Sequence, residues 1–147
     1  MVKFLETPAG QKLAYSFIKG TGPTVIFLGG FKSDMEGSKA IFLEKWAKKR
    51  NRSFLRFDYS GHGQSSGDFH NLGIGDWFND AKQIIELKVK NGIILIGSSM
   101  GGWISLLLSR ELGRRLKGLI TIAAAPDFTE ESMWNNFTEH QKKEILN

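Results

Sequence analysis

Hydrophobic and polar positions follow different rhythms along this chain. Near the N-terminus the period is two. Leu13, Tyr15 and Phe17 alternate with Lys12, Ala14 and Ser16, as in a half-buried strand. The extended runs Val2–Thr7 and Lys12–Lys19 flank the turn signal Pro8-Ala9-Gly10-Gln11, which predicts an antiparallel hairpin. After the breaker Gly20-Thr21-Gly22-Pro23, the strands become continuous apolar runs: Thr24–Leu28, Ser53–Phe57, Ile93–Ile96 and Leu119–Ala124. Runs of that kind suit a parallel sheet covered on both faces. Between them the rhythm is helical. Gly37–Arg50 carries Ala40, Leu43 and Ala47 on one stripe, with Phe42 and Trp46 beside it and the lysines facing away. A second helix starts near Gly73 and brings Trp77, Ala81, Ile84 and Ile85 to one face; a third spans Trp103–Leu112. Beyond Pro126, Phe128–Phe137 and Thr138–Leu146 read as two short helices. From residue 24 onward strands alternate with helices, so the expected fold is α/β: a mostly parallel sheet between helical layers.

One junction in this pattern carries chemistry. The run Gly92–Ile96 meets the helix from Trp103 through Gly97-Ser98-Ser99-Met100-Gly101, a G-x-S-x-G nucleophile elbow. The strand-to-helix turn is sharp enough to strain its central serine, and glycines two positions either side remove Cβ atoms that would collide across it. Only Ser99 has glycine at both −2 and +2, so Ser99 rather than Ser98 is the candidate nucleophile. The context the motif needs, a buried strand leading in and a helix leading out, is present.

Composition narrows the picture further. At 147 residues, the sequence describes one domain, 1–147, at the small end for a multilayer α/β enzyme. It contains no cysteine, which excludes disulfides and thiolate metal sites and suits the cytoplasm. No apolar run approaches the ~18 residues of a membrane span, and the first residues lack the apolar core of a secretory signal. The net charge of +5 gathers in Lys45, Lys48, Lys49, Arg50 and Arg52, and in Arg110, Arg114, Arg115 and Lys117. Both groups fall at helix C-termini, where cations complement the dipole, and no aromatics are interleaved as a nucleic-acid stacking platform requires. Nucleic acid is therefore not an expected partner, and no metal or organic cofactor has support.

With the elbow in place, the sequence resembles the α/β-hydrolase family. Within it, the chain resembles the small serine hydrolases that include abhydrolase-type acyl-protein (palmitoyl) thioesterases. Four stretches in the expected order carry the likeness: Phe27-Leu28-Gly29-Gly30-Phe31, then Asp58-Tyr59-Ser60-Gly61-His62-Gly63-Gln64-Ser65, then the elbow, then Ile120–Pro126. The resemblance implies that the backbone N–H groups of Phe31 and Met100 form an oxyanion hole. Gly29 stands where the family usually has a histidine that is not the base. A glycine-rich strand end and a helix N-terminus both present N–H groups, as acyl transfer requires. The implied activity is a serine hydrolase acting on small-molecule carboxylic esters or thioesters.

The base is the point of departure. The family places an acid and then a histidine after the nucleophile, beyond two further strands, and this sequence stops before either strand. The expectation is therefore an α/β-hydrolase three-layer sandwich truncated before its last two strands, the N-terminal part of a hydrolase. His62 matches a family loop position that is not the base, and His70 lies upstream in a polar loop; both read as ordinary loop histidines. Asp127 and His140 do stand in the correct chain order for a compressed triad with Ser99. Asp127 directly after Pro126 also suits a helix N-cap, and His140 lies in a charged helix. Phe128, Met133, Trp134 and Phe137 could line an acyl pocket or pack a core. The alternative function is a catalytically inactive remnant or interaction module of the same fold. Either way the apolar strand Leu119–Ala124 lacks its outer neighbour. It is expected to leave an open sheet edge for self-association or for a complementing C-terminal fragment.

Overall fold

In the computed structural model, residues 1–126, 138–140 and 143 are described, and all structural statements concern these. The strands are β1 (Lys3–Glu6), β2 (Lys12–Ile18), β3 (Thr21–Leu28), β4 (Arg52–Phe57), β5 (Ile93–Ser98) and β6 (Leu116–Ile122). The helices are α1 (Ser38–Lys49), α2 (Ile74–Lys88) and α3 (Met100–Leu112), with 3₁₀ turns at Phe69–Asn71 and Gly113–Arg115. The strands form one sheet in the order β1-β2-β4-β3-β5-β6. β1 and β2 are the expected antiparallel hairpin, and β2 also runs antiparallel to β4; the pairs from β4 to β6 are parallel.

This order places a crevice. The chain leaves β3 to form β4 on one side, then crosses to form β5 on the other. The connections after β3 and β5 therefore diverge over opposite faces of the sheet, opening a gap at the carboxyl ends of these two strands, where open α/β sheets bind ligands. Ser99 stands directly after β5 and Phe31 just after β3.

Two cores sandwich the sheet. On one face α2 and α3 pack Trp77, Ala81, Ile84, Ile85, Ile104 and Leu108 against Ile26, Leu28, Leu55, Phe57, Ile93 and Leu95. On the other, α1 sets Ala40 and Ala47 against Val25, Phe27, Phe54 and Ile96. The face is chosen by alternation along each strand, so β3, β4 and β5 each feed both cores.

The structure moves several element boundaries. β3 starts at Thr21, not Thr24, because Thr21 N–H reaches Asn51 O at 2.7 Å and a register shift before Val25 absorbs Gly22 and Pro23. β6 runs Leu116–Ile122 instead of Leu119–Ala124: Leu116 already pairs with Ile93 across a second register shift, and Ala123 turns away at φ 48°. Of the two helices expected after Pro126, most positions lie outside the described residues, including Phe128, Met133, Trp134 and Phe137; Glu139, His140 and Lys143 are helical. Among the described residues, no helix is long and apolar enough to cross a membrane.

Candidate active site

Ser99 is built by the collision it avoids. It caps α3 with φ 53° and ψ −117°, a region that a non-glycine residue occupies only when its surroundings impose it. Four bonds do so. Ser99 N–H donates to Ile122 O at 2.9 Å, while Ser99 O accepts from Gly102 N–H at 2.9 Å and from Trp103 N–H and Ala125 N–H, each at 3.3 Å. The elbow is thus pinned to β6 on one side and to its own helix on the other. A Cβ on Gly97 would sit 2.3 Å from Gly101 O and from Ser105 Oγ, and one on Gly101 would sit 2.0 Å from Leu28 O. No real side chain fits at those distances, so both glycines are obligatory for α3 to start this close to β3 and β5.

The side chain of Ser99 is exposed at the crevice, and the loop after β3 lies against it. A Cβ at Gly30 would stand 3.6 Å from the Cβ of Ser99. Phe31 follows, its ring packed against Phe69 at 5.1 Å and Trp77 at 5.9 Å between centroids. Met100 occupies the first position of α3, where the N–H falls outside the intrahelical ladder. Among the cavities that border the loop, one of about 200 Å³ is lined by Lys32, Ser33, Asp34 and His62, and two others lie beside it. One of about 400 Å³ is lined by Phe31, Phe69, Leu72, Ile74 and Trp77; one of about 190 Å³ lies over Gly29, Gly30, Ser33 and Ser98.

The glycine-rich loop after β4 braces this arrangement. Asp58 accepts from Met35 N–H at 2.6 Å and from Gln64 N–H at 2.9 Å, joining the loop after β3 to its own. A Cβ on Gly63 would overlap that carboxylate at 2.2 Å, and Gly63 takes φ 48°. Ser65 Oγ donates to Asp58 O at 2.7 Å and accepts from Ala14 N–H at 2.9 Å, which ties the loop to β2. Tyr59 donates its hydroxyl proton to Gly29 O at 3.1 Å. Asp80 accepts from Ser60 N–H at 2.7 Å, and Trp77 Nε1–H donates to Ser60 O at 3.0 Å. Burial pushes the Asp58 and Asp80 carboxyls above their ordinary range despite these bonds, and raises the Tyr59 hydroxyl likewise.

The histidines sort by surroundings. His62 is a loop histidine but a buried one, with Nδ1 3.1 Å from Ser60 O and Nε2 accepting from Lys32 N–H at 3.2 Å. Both ring nitrogens are thus committed to backbone. His70 is exposed in the first 3₁₀ turn, and His140 is exposed in its helix. Asp127 lies outside the described residues, so a Ser99–Asp127–His140 arrangement is not among the contacts seen. Ser33, His62 and Asp58 are the residues around the site to which sequence reasoning gave no task. The one local signal was the Asp58–Ser65 glycine pattern; Ser33 had none beyond a serine three residues after a glycine.

With this geometry, comparison with known proteins is decisive for the family. A family model, Hydrolase_4, described as serine aminopeptidase S33, matches residues 22–145. The chain belongs to this family. It is 35% identical over 144 residues to the mitochondrial palmitoyl-protein thioesterase ABHD10 of Bos taurus, spanning 98% of this chain and 47% of that protein. The mouse α/β hydrolase domain-containing protein 10 has a solved structure that matches with a TM-score of 0.90 at 34% identity, over 99% of this chain and 58% of that one. A hydrolase structure from Agrobacterium vitis S4 matches with a TM-score of 0.91 at 31% identity, over 100% of this chain and 61% of that one. The fold is therefore that of an α/β hydrolase, and the chain spans about half the length of the curated relatives it matches.

Proposed function

We propose that this chain carries the nucleophile and oxyanion hole of a serine hydrolase for carboxylic esters or thioesters. The observation that carries the reading is Ser99 itself: exposed, held at φ 53° between two glycines with no room for a Cβ, at the carboxyl ends of β3 and β5. In the proposed reaction Ser99 Oγ attacks the acyl carbon as its proton passes to a base. The carbonyl oxygen, now negative, lies against the Phe31 and Met100 N–H groups. The carbon–oxygen or carbon–sulfur bond then breaks, and the alcohol or thiol leaves with the proton. Water then attacks the acyl-serine, the acyl carbon–Oγ bond breaks, and the carboxylic acid is released as the Ser99 hydroxyl is restored. The thioesterase name of the bovine relative supports a thioester among the substrates.

The acid and base are proposed to come from sequence corresponding to the rest of the relatives, since both nitrogens of His62 are occupied. On this reading the chain alone gives only the acceleration that oxyanion donors and binding supply, about 10³- to 10⁴-fold over water. Turnover of p-nitrophenyl acetate tests it. Ser99→Ala should abolish covalent labelling by a fluorophosphonate, and His140→Ala should leave p-nitrophenyl acetate turnover nearly unchanged. A large loss in His140→Ala would locate the base within this chain and defeat the half-enzyme reading.

The same sheet supports a proposal about partners. β6 ends the strand order among the described residues, with Leu119, Ile120 and Ile122 exposed. We assign this edge to the segment that continues the sheet in the longer relatives. Light scattering should find the isolated chain self-associating, and a soluble monomer at high concentration would oppose that assignment.

A further inference from the structure

The loop leaving β3 is held on both sides of Phe31 by side chains that the chemistry above leaves without a task. The peptide before Phe31 joins the Gly30 carbonyl to the Phe31 N–H. Its oxygen accepts from Ser33 Oγ at 2.7 Å and from Ser33 N–H at 3.2 Å. In a planar trans peptide the C=O and N–H point in opposite directions. Holding the Gly30 oxygen on the Ser33 side therefore fixes the direction of the Phe31 N–H. A flip of this peptide would put a carbonyl oxygen where the N–H had been, and it would repel an oxyanion instead of binding it.

The peptide after Phe31 is held as well. Its N–H, that of Lys32, donates to His62 Nε2 at 3.2 Å. The imidazole has no freedom to turn away, because Nδ1 is engaged with Ser60 O at 3.1 Å. The ring is also buried among Tyr59, Phe69 and Trp77, with centroids at 5.6, 5.3 and 5.1 Å. The two partners choose the tautomer: the Ser60 carbonyl needs a donor, so Nδ1 carries the hydrogen and Nε2 is left to accept. Lys32 sits at φ 56°, a left-handed conformation for a long side chain, which persists only where neighbours enforce it. The clamp supplies that enforcement.

We propose that Ser33 and His62 are positioning residues, locking the peptide planes on either side of Phe31 so that its N–H is aimed before substrate arrives. The proposal rests on Phe31 acting as an oxyanion donor, as argued above. It gives the buried His62 a role other than that of base.

Removing one oxyanion donor outright costs about 10²- to 10³-fold in kcat, so loosening it through Ser33 should cost part of that, about 10-fold. The experiment measures p-nitrophenyl acetate turnover and Ser99 labelling by a fluorophosphonate in wild type, Ser99→Ala, Ser33→Ala, Ser33→Thr, His62→Leu and His62→Gln. Ser33→Ala should lower kcat and labelling with KM and Tm unchanged, as Ser33 is exposed. Ser33→Thr, which keeps the hydroxyl, should restore the rate. His62→Gln, whose terminal oxygen can replace Nε2 as acceptor, should retain more activity than His62→Leu. The Phe31 amide resonance gives a readout independent of catalysis: sharp in wild type and Ser33→Thr, exchange-broadened in Ser33→Ala. If Ser99→Ala leaves the labelling intact, the nucleophile reading fails while the Phe31 line width still judges the clamp. If Ser33→Ala keeps both wild-type kcat and a sharp Phe31 amide, the clamp is wrong.

Discussion

The two faces of the sheet are built from the same strands and finished differently. Toward α2 and α3 the core closes over β3, β4 and β5: Leu28, Leu55, Ile84, Ile85, Leu95 and Ile104 are fully buried. Toward α1 it closes only over β3, β4 and part of β5. Beyond that, Phe42 is 70% exposed and Ile120 52% exposed, and an apolar cleft of about 550 Å³ separates α1 from β6 between Phe42, Leu43, Ile96, Ile120 and Ile122. The polar fastenings differ too. The α1 face is tied by Arg56 of β4, which pairs with Glu44 and with Glu36 at 2.8 Å and donates to Met35 O at 2.9 Å. The α2 side is tied by Asp80, which accepts from the Ser60 N–H and, among the described residues, stands in no ion pair. Among the described residues, the face that carries the elbow helix is closed as far as β5, while on the α1 face cover already thins beside β5.

Core truncation should give the largest contrast. Leu95→Ala, on the closed face, should cost about 2–5 kcal/mol, whereas Ile120→Ala, already half in water, should cost less than about 1 kcal/mol. Urea denaturation of both variants checks this, and equal losses would show that β6 is as well packed as β5.

The carboxylates should separate the faces by the sign of their pH dependence. Burial pulls the Glu44 pKa upward, but the hydrogen bonds and charges of Arg56 and Lys48 outweigh it and hold the group below its ordinary 4.5. Its contribution is present above that unfolded value and disappears as pH falls through the folded one. Asp80 is pushed above its ordinary 3.8, chiefly by burial, so its contribution is present below that value and lost as pH rises through the folded one. Stability measured from about pH 3 to pH 7 should therefore lose part of its acid-side fall in Glu44→Gln. In Asp80→Asn it should lose a decline toward neutrality instead. The same slope change in both would erase the distinction.

A smaller effect is expected at the cleft. Phe42→Ser should change stability by only about 0.5 kcal/mol or less, because the ring is mostly in water already. It should nonetheless reduce self-association of the isolated chain, and sedimentation velocity would register the shift.

Much of this was legible in the chain. Ile93–Ile96 could only be an interior strand, and the glycines around Ser99 announced a turn too tight for side chains; both are local, and local sterics decide them. The misplaced boundaries are non-local. Thr21 joins β3 because Asn51 accepts its N–H, and Leu116 joins β6 because Ile93 lies opposite. Strand partners are set by the sheet rather than by neighbours in sequence. The burial of His62 is non-local in the same way. A histidine between two glycines reads as a loop residue, and only Tyr59, Phe69 and Trp77 closing around it bury it.

By itself, the sequence determined the alternation of strands and helices, the antiparallel hairpin and the identity of Ser99 as the strained residue of an elbow. Each follows from side-chain period or from the space a Cβ needs. Only the tertiary structure decided that Asp58 joins two loops, that Ser33 turns back on Gly30, and that His62 spends both nitrogens on backbone. Those choices depend on which carbonyls and N–H groups arrive within about 3 Å of a side chain. That distance is fixed by the packing of β3, β4 and α2 against one another, and no stretch of sequence contains it.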